Sequence, residues 1–184
     1  VDGGSTSAAA LAKLDSLRQS FAEEGRHRIL QQRNKGLGSA RNAGIRAARG
    51  ELILPLDPDD LIVPGYLDMA VTALERVPEL SYVVGISSLF DEGRSPAEEQ
   101  DWVVPYDPSR GMLMYENGAG TAAAVFRKSH LEGFPYREDL PAYEDWDLYL
   151  RLAAAGRFGE SLPTVTHRYR QRASGLAQLA HRHH

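Results

Sequence analysis

The sequence predicts an α/β domain in which a mostly parallel central sheet is flanked by helices. Two observations carry that prediction. Strand-like and helix-like patterns alternate through the first 90 residues, as they do in βαβ units. The apolar run Glu51–Leu56 is bounded by turn signals, the mark of a central strand covered on both faces. At 184 residues the chain has the length of one domain, since roughly 150 residues make one.

Each element has its own signal. Val1–Ser7 reads as a strand end breaking into a turn, with Ser5 or Thr6 placed to cap the first helix. Leu11, Leu14, Leu17 and Phe21 recur at helical spacing between Ala8 and Glu24, and Gly25 stops that helix. Arg28–Gln32 is a short strand. Gly38–Arg49 is a helix whose small residues permit close packing, and Gly50 ends it. Asp57–Asp60 is the carboxyl-end loop of the Glu51–Leu56 strand. Pro64 suits the first position of a helix, and Leu67, Val71, Leu74 and Val77 give that helix its apolar stripe. Ser81–Phe90 and Thr121–Arg127 are further strands, and Asp91–Asp101 is an acidic surface loop. Glu144–Ala155 is a helix closed by Gly156, and Thr164–Arg170 is a last strand before a helical tail.

Composition removes whole classes of function. The chain has no cysteine, so it holds no disulfide, Cys-zinc site, iron–sulfur cluster or thiol nucleophile. Lys plus Arg number 21 against 25 Asp plus Glu, and the resulting charge of −4 argues against a nucleic-acid partner. No apolar stretch approaches the ~18 residues of a spanning helix.

In open α/β sheets, ligands bind beyond the carboxyl ends of the strands. Two loops meet that rule, Asp2–Ser7 and Asp57–Asp60. In the run L-D-P-D-D, Leu56–Asp60, carboxylates at i and i+2 can converge on a hard divalent cation that bridges to substrate phosphates. The competing reading is an acidic turn, because Asp and Pro favour turns and Asp caps helices.

The ordered series V-D-G-G-S-T (Val1–Thr6), N-K-G-L-G-S-A-R-N-A-G (Asn34–Gly44), A-R-G-E (Ala48–Glu51), L-D-P-D-D…P and Y-E-D-W-D-L-Y-L-R-L (Tyr143–Leu152) resembles the inverting glycosyltransferase family 2. The resemblance runs over nearly the whole chain. It implies a glycosyltransferase A fold in a single domain, with residues 1–90 binding the nucleotide sugar and 91–184 the acceptor. It also implies transfer of a sugar, with a lean to a UDP-sugar donor, onto a hydroxyl of a glycan or lipid-linked acceptor, with Mn²⁺ or Mg²⁺ as cofactor. A cytoplasmic location is the matching expectation, with peripheral association at the inner membrane face left open.

Carried over position by position, Asp2 is implied to accept from the nucleotide base; its alternative use is to cap the first helix. Arg41 and Asn42 match the family's A-R-N, where the guanidinium is expected to reach base or diphosphate. Its alternative is an exposed helical arginine. Gly36 and Gly38 are expected to admit ligand close to the backbone. Asp59 is the expected metal ligand, and Asp57 is expected to touch ribose or the metal with its water. Asp60 is read as a helix cap. Asp145 is implied to be the general base, ionised at neutral pH without a raised pKa, because a helix N-terminus favours carboxylates. Glu144 and Trp146 are assigned to the acceptor, with core packing as the alternative for Trp146.

Departures from the family pattern are also visible. Gly3 and Ser7 replace residues that are often acidic, and the strand that usually opens the family does not precede Val1 in this sequence. Arg172 stands where His is usual and is expected to donate to the diphosphate, whereas His167 is read as structural. The residues alone also admit two other readings. One is a haloacid-dehalogenase-like phosphohydrolase with Asp57 as nucleophile, and the other is a nucleotide-binding module without turnover.

Overall fold

The computed structural model describes residues 1–25, 27–96, 101–105 and 123–171. In chain order the elements are α1 (Ala8–Glu24), α2 (Leu37–Ala47), β1 (Leu52–Ile53), β2 (Leu61–Ile62), α3 (Tyr66–Arg76), β3 (Tyr82–Asp91), β4 (Asp101–Val103), β5 (Val125–Arg127), α4 (Lys128–Gly133), α5 (Glu144–Ala154) and β6 (Gly159–Gln171). The expected helical tail and Arg172 lie outside the described residues.

β3 is the spine. It pairs in parallel with β6 along its whole length, and its other edge takes β5 and then β4, both antiparallel. β1 lies beyond β5 and β2 beyond β6, again antiparallel, giving the order β1-β5-β3-β6-β2. The α/β class therefore stands, but the sheet is mixed rather than mostly parallel. A parallel partner requires a crossover of a dozen or more residues, usually through a helix. β1 and β2 are two-residue pieces joined only by the turn at Pro55–Asp60, so they cannot be parallel neighbours. The chain instead passes from one side of the sheet to the other through that turn.

The Glu51–Leu56 run is thus a short edge piece and not the central strand. Its apolar pattern was informative about faces: Ile53 packs with one core cluster, and Leu52 and Leu54 with the other. The same alternation sorts Tyr82 and Val84 from Val83, and Phe126 from Val125, as a period of two requires. One layer holds Ile45 of α2, Leu131 of α4 and Leu148, Tyr149 and Leu152 of α5. The other is closed by α3 through Tyr66, Ala70 and Leu74. The α3 stripe is therefore shifted from the expected one, since Leu67 and Val77 are exposed. Tyr66 offers more apolar surface than either and directs the packing.

Three local expectations are corrected. The α1 cap is Ser7, whose hydroxyl accepts from the Ala10 amide at 3.2 Å. α2 stops at Ala47, before Gly50. Arg28–Gln32 forms only an isolated bridge, in which the Asp2 amide donates to the Leu30 carbonyl at 2.7 Å.

Gly38 is a packing position and not a ligand approach. A Cβ built there would stand 2.5 Å from the Arg137 carbonyl oxygen. Gly38→Ala is expected to lose about 1–3 kcal/mol through forced displacement of that segment, read as a lower midpoint in urea unfolding.

Candidate active site

Three elements converge on one guanidinium. Arg41 projects from α2, donating through Nη2 to Asp57 Oδ1 at 2.9 Å and through Nη1 to Glu144 Oε1. Its Cζ stands 5.3 Å from the centre of the Tyr136 ring. The arginine and Glu144 side chains are only 8% and 7% exposed, so water contributes little screening. Burial opposes the charge on Arg41, but Asp57, Tyr136 and Glu144 outweigh it and raise the pKa above its ordinary value. The alternative of an exposed helical arginine is overturned, since the side chain is buried and bridges two carboxylates.

That bridge brings the D-P-D-D loop to the first residue of α5. Asp145 follows in the same helical turn, partly buried, with its Oδ1 accepting from the Trp146 amide at 2.8 Å. Burial, and then the adjacent Glu144, push its pKa up to about 6, against the opposing pull of Arg41 and the Trp146 amide. The expectation of an unraised pKa is corrected: desolvation and the neighbouring Glu144 outweigh Arg41 and the backbone N–H groups at the helix start.

Tyr143 precedes the helix at φ 62, the one non-glycine residue with positive φ among those described. A non-glycine residue in that region costs on the order of 1–3 kcal/mol and is held there by its surroundings. Its exposed ring meets Trp146 edge-on at 6.1 Å, leaving an aromatic pair beside Asp145.

The Asp57–Asp60 turn closes with the Asp60 amide donating to the Asp57 carbonyl at 3.2 Å. Asp59 is partly exposed, and its carbonyl accepts from Arg170 Nε at 2.9 Å. Asp60 does not cap α3. It is buried, with one oxygen accepting from the Arg170 amide at 2.8 Å and the other 3.1 Å from His167 Nε2. The sequence offered no signal for this, because its partners lie over 100 positions away. His167, read as structural, is buried.

Among the described residues, no three His, Cys, Asp or Glu side chains gather to hold a metal ion. The carboxylates of the loop that would hold one are Asp57 and Asp59. Such a pair fits a hard cation whose remaining positions are filled by phosphate and water, and does not form a closed protein cage. Alongside runs an open groove of roughly 420 Å³, lined in part by Arg41, Leu54, Leu56, Asp57 and Pro58, a size within the range of ligand sites.

The remaining assignments divide differently. The buried Asp2 carboxylate accepts from the Ser5 amide at 2.9 Å, the Gly4 amide at 3.2 Å and Gln31 Nε2 at 3.3 Å. These bonds, that of Ser5 foremost, lower its pKa to about 2. Its charge therefore organises its own turn. Asn42 is also redirected. Its amide group donates to the Tyr136 carbonyl at 2.8 Å and to Glu138 Oε1 at 3.0 Å, and its oxygen accepts from the Tyr136 amide at 2.9 Å. It is a buried clamp between α2 and the 136–138 segment and has little capacity left for a nucleotide. Gly36 sits at φ 87 as the N-cap of α2, a conformation that glycine adopts without strain.

The profile of Glycosyl transferase family 2 matches residues 1–133. Chondroitin synthase of Escherichia coli is 30% identical over 146 residues, covering 77% of this chain and 20% of that protein. The crystal structure of S. aureus TarS 1-349 in complex with UDP-GlcNAc aligns with a TM-score of 0.67 at 16% identity, over 96% of this chain and 50% of that one. Glucosyl-3-phosphoglycerate synthase of Mycobacterium tuberculosis, in complex with Mn²⁺, UDP-glucose and glycerol 3-phosphate, aligns at 0.51 and 18% identity, over 98% and 62%. These structures share the fold. The chain spans half or less of the length of the curated relatives it matches. The D-P-D-D turn lies within the matched residues and the α5 acids lie beyond them, and with most of the chain matched the chain belongs to glycosyl transferase family 2.

Proposed function

We propose that this domain transfers a sugar from a UDP-sugar to an acceptor hydroxyl with inversion at the anomeric carbon, in the synthesis of a polysaccharide or cell-surface glycan. The observation that carries the reading is the Arg41 bridge, which joins a donor-side carboxylate to the helix bearing Asp145 across 16 and 103 sequence positions. The glycan-synthesising relative and the UDP-sugar complexes of the fold relatives support the choice of substrates.

Asp57 and Asp59 would hold Mn²⁺ or Mg²⁺ together with the donor diphosphate. When bound, that cation neutralises charge on the leaving diphosphate. Asp145 accepts the acceptor's hydroxyl proton as the oxygen attacks, and a pKa near 6 places it close to the working range of a base at neutral pH. Glu144 is held by Arg41 and so fixes the start of α5. Tyr143 and Trp146 offer aromatic faces to an acceptor sugar.

Calorimetry with UDP and Mn²⁺ tests the donor side. Asp59→Ala is expected to weaken UDP binding sharply and to abolish its Mn²⁺ dependence, because a single carboxylate that also pairs with Arg41 is left to hold the cation. Undiminished, Mn²⁺-dependent binding would remove Asp59 from the donor site.

A further inference from the structure

We propose that Asp60, seated on His167 and Arg170, is a positioning residue that fixes the loop carrying Asp57 and Asp59, and that donor affinity depends on it. The second half of this rests on the donor reading given above.

The loop has few supports of its own. β1 and β2 on either side are two residues each, and the internal bond of the turn is the 3.2 Å contact from Asp60 to Asp57. Arg41 holds its first residue through Asp57, and β6 holds its far end. Asp60 uses both carboxylate oxygens there, one on the Arg170 amide at 2.8 Å and one against His167 Nε2 at 3.1 Å. The imidazole is seated in turn by Ser87 of β3, whose Oγ lies 2.9 Å from Nδ1. The Asp60 and His167 side chains are 5% and 2% exposed, so the contacts are shielded from competing water.

Arg170 grips the loop a second time. Its Nε donates to the Asp59 carbonyl at 2.9 Å, while its guanidinium carbon lies 4.6 Å from the Phe90 ring centre on β3. Just beyond the loop, Val63 donates to the Thr166 carbonyl at 2.9 Å, and Leu61 and Ile62 are paired with Arg168 and His167. The residues after Asp60 are thereby anchored, and Asp60 with Arg170 extends that anchorage back to Asp59.

This arrangement separates geometry from charge. In the wild type, His167 Nε2–H can donate to Asp60 while Nδ1 accepts from Ser87. An asparagine in place of Asp60 can keep the brace by donating to Nε2, with the ring taking its other tautomer and donating to Ser87. Asp60→Asn thus preserves the support, and Asp60→Ala removes it.

The test compares wild type, Asp60→Ala, Asp60→Asn and Arg170→Lys by calorimetry with UDP and Mn²⁺ and by amide hydrogen exchange of residues 57–60 without ligand. Asp60→Ala is expected to bind UDP about 10–100-fold more weakly, the usual effect of losing the groups that orient a ligand-bearing carboxylate, and to exchange faster in the loop. Asp60→Asn is expected to stay near wild type in both. Arg170→Lys keeps its charge but loses the Nε–H bond to the Asp59 carbonyl. It is expected to show intermediate weakening and remains informative if Asp60→Ala does not fold. A folded Asp60→Ala with wild-type exchange and affinity overturns the proposal, as does an Asp60→Asn as impaired as the alanine variant. If the wild type itself binds no UDP, the donor reading falls, and loop exchange alone decides whether Asp60 is a brace.

Discussion

Replacing Asp145 by Asn is expected to cut sugar transfer by about 10²–10⁴-fold, the range for a positioned proton acceptor, while making the folded protein more stable at neutral pH. Both effects follow from one cause. Burial and the neighbouring Glu144 hold the Asp145 pKa at about 6, above the ordinary carboxylate value of 3.8. At pH 7 a group with that pKa is roughly nine-tenths ionised, so the base is available but its charge is costly to keep. Because the folded state binds this proton more tightly than the unfolded chain, the destabilising contribution is full above pH 6. It is relieved as the pH falls from 6 toward 4. An amide carries no charge at any of these values. Asp145→Asn is therefore expected to raise the melting temperature at pH 7.5, with the gap to wild type shrinking by pH 4.5. The transfer rate of the wild type should fall below about pH 6 as the base is protonated. Thermal melts at the two pH values, with turnover and UDP affinity at saturating Mn²⁺, check all of this. A variant that transfers normally would leave Asp145 a helix-end acid.

Arg41→Met is expected to produce the largest loss of stability. Removing one partner from a buried ionic network costs about 3–5 kcal/mol, because the charges left behind remain desolvated. Two carboxylates are stranded here, one of them almost fully buried. Whole domains are stable by only about 5–15 kcal/mol, so this variant should stand close to its unfolding threshold at room temperature. Urea unfolding measures the loss directly. Arg41→Met combined with Glu144→Gln should recover part of it, since the second change removes one of the stranded charges. Failure to recover any stability would mean that packing over Tyr136, and not charge balance, is the main role of Arg41.

Much of this architecture was legible in the residue pattern, and the exceptions share a physical origin. The α1 bounds followed from Leu11, Leu14, Leu17 and Phe21 with Gly25 behind them, and β3 and α5 were marked as clearly. These are local periodicities, and local energetics suffice to set them. The ordered motifs likewise marked the Asp57–Asp60 turn and the Glu144–Asp145 pair. Lateral order in the sheet was not legible, because the Leu52–Ile53 pattern encodes which faces are covered and says nothing about which strand lies alongside. The roles of Arg41, Asn42 and Asp60 were hidden for a related reason. Each depends on at least one partner about 94–110 positions away, beyond the reach of any spacing rule. The raised pKa of Asp145 has the same origin: the helix start was visible in the sequence, but the burial around it was not.

The most direct measurement is proton NMR of the sugar released when this protein is incubated with Mn²⁺ and an α-linked UDP-sugar, UDP-GlcNAc and UDP-glucose being the two tried, without acceptor and recorded before mutarotation. With Asp145 activating a water in place of the acceptor hydroxyl, a single displacement on the α-linked donor gives the β anomer first, and Asp145→Asn releases sugar far more slowly. Initial appearance of the α anomer, or equal release by the two proteins, would contradict the account.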